Sequence, residues 1–224
     1  LTSPAVALGA ASREALRVGD IVESMLHDSI DALKEDDGQL ARQIMARDDA
    51  VDKLYEAIKL YVTEASRGEL DEEESRRATQ ILTFTTDLEH IGDIIENLME
   101  LAAKKTEQKV RFSDAGLAEL ETLHAKVAAN MKLALGVFMS GDAKMAMQLL
   151  QEKREVKDLE RADAARHLDR LREGRPESIE TSALHMDVLR DLKRIHSHIV
   201  AVAYPVLMQA GLLDPTPGPG AEKA

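Results

Sequence analysis

The sequence predicts an all-α protein of six long helices, arranged as two tandem three-helix bundles. Three observations carry that expectation. The apolar stripes recur at about half the chain length: a shift of 105 places Val18, Val22, Leu26, Ile30 and Leu33 onto Leu123, Val127, Met131, Leu135 and Phe138. The same shift places Leu40, Ile44, Val51 and Leu54 onto Met145, Leu149, Val156 and Leu159, and a shift of 104 places Leu82, Leu88, Ile91, Ile95 and Leu98 onto Met186, Leu192, Ile195, Ile199 and Val202. Self-similarity at such a spacing marks a duplicated supersecondary unit. Composition agrees, because 44% of residues are hydrophobic but only 3% aromatic, with no Trp. The core is therefore built from Leu, Ile, Val, Met and Ala, as in helical bundles. Finally, Gly68, Gly141 and Gly174-Arg175-Pro176 fall at joints between helix-length periodic segments.

Taken in order, the first helix begins near Pro4, which suits a first turn with Ser3 as cap, and runs to the Glu35-Asp36-Asp37-Gly38 turn. The second covers Gln39 to Ser66, with apolar residues at 40, 44, 51, 54, 58 and 61 close to a heptad seam. Gly68 ends it. The third starts around Glu72 and continues to about Lys105, with Ile81, Leu88, Ile95 and Ala102 on one stripe. Lys104 and Lys105 are placed to meet its C-terminal dipole. The fourth spans Asp114 to Ser140, the fifth Asp142 to Arg172, and the sixth Pro176 to Gln209, with joints at Gly141 and Gly174-Arg175-Pro176. Residues 1–110 form the first repeat and 111–211 the second. The Pro- and Gly-rich stretch 212–224 is predicted to be a disordered tail.

Charge and composition exclude several functions. A net charge of -12 opposes binding to nucleic acid, which needs clustered Lys and Arg. With no cysteine, disulfides, thiolate metal sites and a thiol nucleophile are all ruled out. The longest apolar stretch, Ile199 to Leu207, has nine residues, whereas a membrane-spanning helix needs roughly 20. No signal-peptide pattern is visible at Leu1-Thr2-Ser3-Pro4, so the sequence reads as a soluble domain. It begins without Met, which fits a piece of a longer or processed protein. Phosphate-loop, nucleophile-elbow and His-Glu-x-x-His motifs are missing too, and the expectation is that the protein is not an enzyme.

The chemistry gathers in the first repeat. Asp48 and Asp52 lie four apart on the second helix, and Glu89 and Asp93 four apart on the third, so each pair projects from one helix face. A short turn joins these helices into an antiparallel hairpin. In such a hairpin, residues whose numbers share one sum lie at one height: 48 with 93 and 52 with 89 both pair about the turn. Four convergent carboxylates are unstable at neutral pH unless a cation binds or some groups keep a proton. Oxygen ligands suit hard cations such as Mg, Mn, Ca or ferric iron. A solvated acidic face would show the same spacing, and that alternative stays open.

Asp48 to Asp52 and Asp87-Leu-Glu-His-Ile-Gly-Asp93, on a duplicated three-helix framework, resemble the acidic motifs of the PhoU family of phosphate-signalling proteins. Arg13-Glu14-Ala-Leu-Arg17 and Leu189-Arg-Asp-Leu-Lys-Arg-Ile-His-Ser-His-Ile-Val200 are similar to the PhoU-like domain of bacterial sodium/phosphate cotransporter-type proteins. The resemblance implies a regulatory or accessory domain on the cytoplasmic side of the inner membrane. It implies a phosphate transporter's membrane domain as partner, in the same or an associated chain, with a homodimer also open. It further implies a bound divalent or trivalent metal (iron, Mg, Mn, Ca or Zn) at Asp48, Asp52, Glu89 and Asp93. The sequence departs from a symmetric pattern, because the shifted positions hold Lys153, Lys157, Lys193 and Ser197. Ammonium groups cannot coordinate a cation, so the site is expected in the first repeat only.

Other groups are read more plainly. Asp187 and Asp191, beside Arg190, Lys193 and Arg194, are expected to form salt bridges. His90 is expected to be solvated or to support a neighbouring ligand, and His196 to be packed. Glu121 and His124 form one Glu-x-x-His, half of the pattern of a di-metal carboxylate enzyme. That enzyme and a metal-free helical adaptor or dimerisation module are the alternatives.

Overall fold

Side-chain caps open several of the helices. A computed structural model describes residues 3–35 and 38–213 and places α1 at Pro4–Glu35, α2 at Gly38–Ala65 and α3 at Glu72–Gln108. The second half contains α4 at Asp114–Ser140, α5 at Ala143–Arg172, α6 at Pro176–Glu180, α7 at Ser182–Ala201 and α8 at Ala203–Gln209. Asp71 opens α3 with a capping box, its carboxylate accepting from Glu74 N at 2.8 Å while the Glu74 carboxylate accepts from Asp71 N at 3.1 Å. Ser113 caps α4 and Asp142 caps α5. Gly141 closes α4 with φ 63°, a left-handed conformation that glycine adopts without a Cβ penalty. The predicted tail, from Asp214 onward, and Asp36-Asp37 of the first turn lie outside the described residues.

The predicted sixth helix is corrected to three segments. At Thr181 the backbone leaves the helix (φ -101°, ψ 7°), and its hydroxyl donates to Glu177 O at 2.7 Å. Pro205, lacking an N–H, cannot bond back to Ala201, and the helix is interrupted at Val202. The remaining predicted helices stand within a few residues of their expected bounds. Among the described residues there is no strand, and no helix is long and apolar enough to cross a membrane.

The repeat governs packing. Helices α1, α2 and α3 pack together as one bundle, and α4, α5 and α7 as the other. The bundles meet through counterpart helices, α1 on α4 and α3 on α7. Along α1, rising numbers meet falling ones on α4: Glu23 pairs with Lys132 at 3.5 Å, Leu26 O accepts from His124 Nε2 at 2.6 Å, and Lys34 pairs with Glu121 at 2.8 Å. This antiparallel pairing of equivalent helices is what an approximate two-fold axis between repeats produces. Phe84 and Phe138 stack across the boundary with ring centroids 4.1 Å apart, and the Arg77 guanidinium lies over Phe138. Packing on both sides explains why α3 buries Ile94 and Met99 as well as the stripe through Ile91, Ile95 and Leu98.

The two cores are not chemically alike. Where the first repeat buries Ile58, Val62 and Ile81, the second buries Asp163, His167 and His185 at the shifted positions. Glu119, Arg166 and Arg170 surround them, with Arg170 donating to both Glu119 carboxylate oxygens at 2.7 and 2.8 Å. Desolvation pushes the His185 imidazole down to about 4, so it sits neutral in this core.

Candidate functional site

The buried face of α2 runs Ala41, Ile44, Asp48, Val51, Ile58, Val62, a three-four spacing with one carboxylate in it. Asp48 thus occupies a core position rather than the solvated edge, and is 5% exposed. It fits because Gly92 faces it on α3, and a Cβ there would collide with Asp48 Oδ1. That oxygen has no hydrogen-bond partner among the described residues. A buried, unpartnered carboxylate oxygen is costly when ionised. Accordingly, desolvation, reinforced by Asp52, Glu96, Asp93 and Glu89, pushes the Asp48 carboxyl from 3.8 up to about 7.

Three of the four predicted residues come together. Asp48, Asp52 and Asp93 each offer a carboxylate oxygen within 4.8 Å of the others. Glu89 stands outside this triad, with its carboxylate 3.5 Å from His90 Nε2. Desolvation raises Glu89 and Asp52 from their ordinary values, and Asp93 adds to both. Glu96, absent from the spacing argument, belongs to the same field and is raised by desolvation and by Glu100, Asp93 and Asp52. Its signal was the Asp93-x-x-Glu96 spacing, which also shares one helix face.

The second repeat neutralises the equivalent positions. Lys153 donates to Tyr204 Oη at 2.9 Å and Lys193 pairs with Glu160 at 2.9 Å. Asp187 pairs with Arg190 at 2.8 Å and Asp191 with Arg194 at 3.1 Å, as expected of salt bridges; Lys193 is engaged elsewhere. His196 is buried and accepts from Asn130 Nδ2 at 2.9 Å, in accord with a packed role. Glu121 and His124 do not act as a pair: the former meets Lys34, and the latter turns inward to Leu26 O and Ser29. His90, expected to be solvated or to support a neighbouring ligand, instead meets Asp87 and His198 between α3 and α7.

Gly92→Ala should destabilise the fold by about 1–3 kcal/mol, the usual cost of overpacking a filled interior. The short Asp48 side chain has no long stem with which to yield. Chemical denaturation should show the loss, and a smaller loss in Gly92→Ala/Asp48→Ala would locate the clash.

Fold and site together define a duplicated helical-bundle protein that gathers carboxylates on one repeat and joins its repeats through equivalent helices. The PhoU domain model matches residues 15–102 and 120–206, once on each repeat. The chain belongs to the PhoU family. It is 38% identical over 210 residues to the "putative inorganic phosphate export protein YjbB" of Escherichia coli K12, covering 93% of this chain. The chain spans only 38% of that relative's length. It is also 28% identical to the "phosphate-specific transport system accessory protein PhoU homolog 1" of Thermotoga maritima, covering 80% of this chain and 76% of that one. The crystal structure of PhoU from Pseudomonas aeruginosa shares the fold, with TM-score 0.85 at 23% identity over 92% of this chain and 98% of that one.

Proposed function

We propose that this chain is a regulatory or accessory domain of a sodium-dependent phosphate transporter, and that its first repeat binds a metal ion between Asp48, Asp52 and Asp93. The observation that carries the metal reading is the orphaned, buried Oδ1 of Asp48 beside two further carboxylates. A cation would supply its missing partner and offset the desolvation and carboxylate repulsion that raise the Asp48 carboxyl. The all-oxygen donor set selects a hard cation, Mg, Mn, Ca or ferric iron, ahead of softer metals. Glu89 and Glu96 then act as outlying charge, tuning affinity from beside the triad.

The phosphate-transport reading draws on the names of the relatives and on PhoU membership. The partner would be a transporter's membrane domain, met on the cytoplasmic side of the inner membrane, with a homodimer as a second mode of association. Filling the site converts an acidic face of the α2–α3 hairpin towards neutrality, which changes what that face presents to a partner. The di-metal enzyme reading loses its support, since Glu121 and His124 engage different partners and no second Glu-x-x-His occurs. In the natural protein containing this chain, Asp52→Asn/Asp93→Asn should change transmembrane flux of radiolabelled phosphate while its membrane abundance stays constant. Unaltered flux at equal abundance would count against the regulatory reading.

A further inference from the structure

We infer that Asp87, His90 and His198 form a second metal site, of the zinc class, that staples the two repeats together. Asp87 and His90 lie three apart on α3 and share a helix face, and His198 reaches them from α7 of the other repeat. One ligand atom from each lies within 4.8 Å of the other two. His198 Nδ1 is 2.8 Å from Asp87 Oδ1, and the two imidazole rings stand 5.1 Å apart, centroid to centroid.

The donor set differs in kind from the carboxylate triad. Two imidazoles and one carboxylate suit zinc and neighbouring divalent transition metals, with a fourth position left for water or an anion. Ligands at about 2.0–2.2 Å from one ion are roughly 3.5 Å apart, so the group must close inward slightly. The His90 side chain is 48% exposed, which leaves it space to close on the other two. Glu89, 3.5 Å from His90 Nε2, is a carboxylate beside an imidazole, the arrangement that orients metal-binding histidines and raises their basicity.

The pseudo-two-fold relation shows that this constellation is not a by-product of the repeat. Shifting by 104 converts Asp87, His90 and Ile94 to Asp191, Arg194 and His198. The counterpart location therefore holds Asp191, Arg194 and Ile94, closed by the Arg194–Asp191 ion pair at 3.1 Å. Arginine and isoleucine cannot ligate. One boundary location thus has three ligands while its mate has an ion pair, and an ion at the first would tie α3 to α7.

The test uses tag-free protein carrying Asp52→Asn/Asp93→Asn, so that the carboxylate triad is silent. Titration with Co²⁺ should give visible absorption bands of a low-symmetry nitrogen–oxygen site at one ion per chain, displaced by Zn²⁺ but not by Mg²⁺. His90→Ala and His198→Ala should each weaken Zn²⁺ binding by at least about 10–100-fold, the range already seen when only a supporting residue of a metal site is lost. Far-UV circular dichroism of the metal-free variants should remain that of the parent, and His198→Asn, which keeps the shape, should lose the ion equally. No Co²⁺ bands in the triad-silenced protein, or unchanged Zn²⁺ affinity in both histidine variants, would overturn the inference.

Discussion

Asp48→Asn should stabilise the metal-free protein, and by on the order of 3 kcal/mol more at pH 8 than at pH 5. The sign follows from where the proton sits. In the fold Asp48 keeps its proton up to about 7, whereas the unfolded carboxyl releases it near 3.8. Between those values folding takes up a proton, so stability falls as pH rises, and above pH 7 the full penalty stands. Asparagine mimics the protonated form and carries no such penalty. The acid limb has a separate origin, because burial lowers His185 and His196 to about 4 from 6.5. Groups lowered in this way contribute stability above pH 6.5 that is lost as pH falls towards 4, and the substitution leaves that limb unchanged. Urea denaturation of both proteins at the two pH values measures the difference; an equal gain at each would mean that Asp48 is already ionised in the fold.

The helical repeat was legible because apolar periodicity survives duplication: Val22 and Val127, or Ile95 and Ile199, need only remain apolar to keep facing a core. The break of the predicted sixth helix was less legible. Nothing in the pattern around Thr181 demands an interruption, and Pro205 lay within an otherwise continuous stripe. Equally hidden was the polar interior of the second repeat. Asp163, His167 and His185 take the buried positions that Ile58, Val62 and Ile81 hold in the first repeat, with Glu119, Arg166 and Arg170 beside them.

For the candidate site, hairpin arithmetic anticipated the proximity of Asp48, Asp52 and Asp93 but could not fix rotation about the two helices. It therefore included Glu89, which turns towards His90, and omitted Glu96. The heptad seam held a sharper signal, since position 48 continues the run 41, 44, 51 and 58. A carboxylate in a core stripe opposite a glycine implies a burial that needs a partner. The histidine group joins residues 87 and 198, whose proximity depends on how the repeats pack.

Adding a hard cation at about 100 times its dissociation constant should stabilise the native protein by about 2.7 kcal/mol, because an ion bound only by the folded state shifts the equilibrium by mass action. For a chain of this size that is a rise of about 5–10 °C in Tm. Asp52→Asn/Asp93→Asn should abolish the response to Mg²⁺, Mn²⁺ and Ca²⁺, since it removes two members of the triad. Glu89→Gln should only weaken it, because that carboxylate lies outside the triad and acts through its charge. Asp187→Asn/Asp191→Asn should leave it intact, as those acids are held by Arg190 and Arg194. Affinity should also rise with pH through about 7, because Asp48 must release its proton before its buried oxygen can ligate. Thermal melts of the variants across pH with each cation provide the measurement. A full Mg²⁺, Mn²⁺ and Ca²⁺ response in the Asp52/Asp93 variant would remove the carboxylate triad as the metal site.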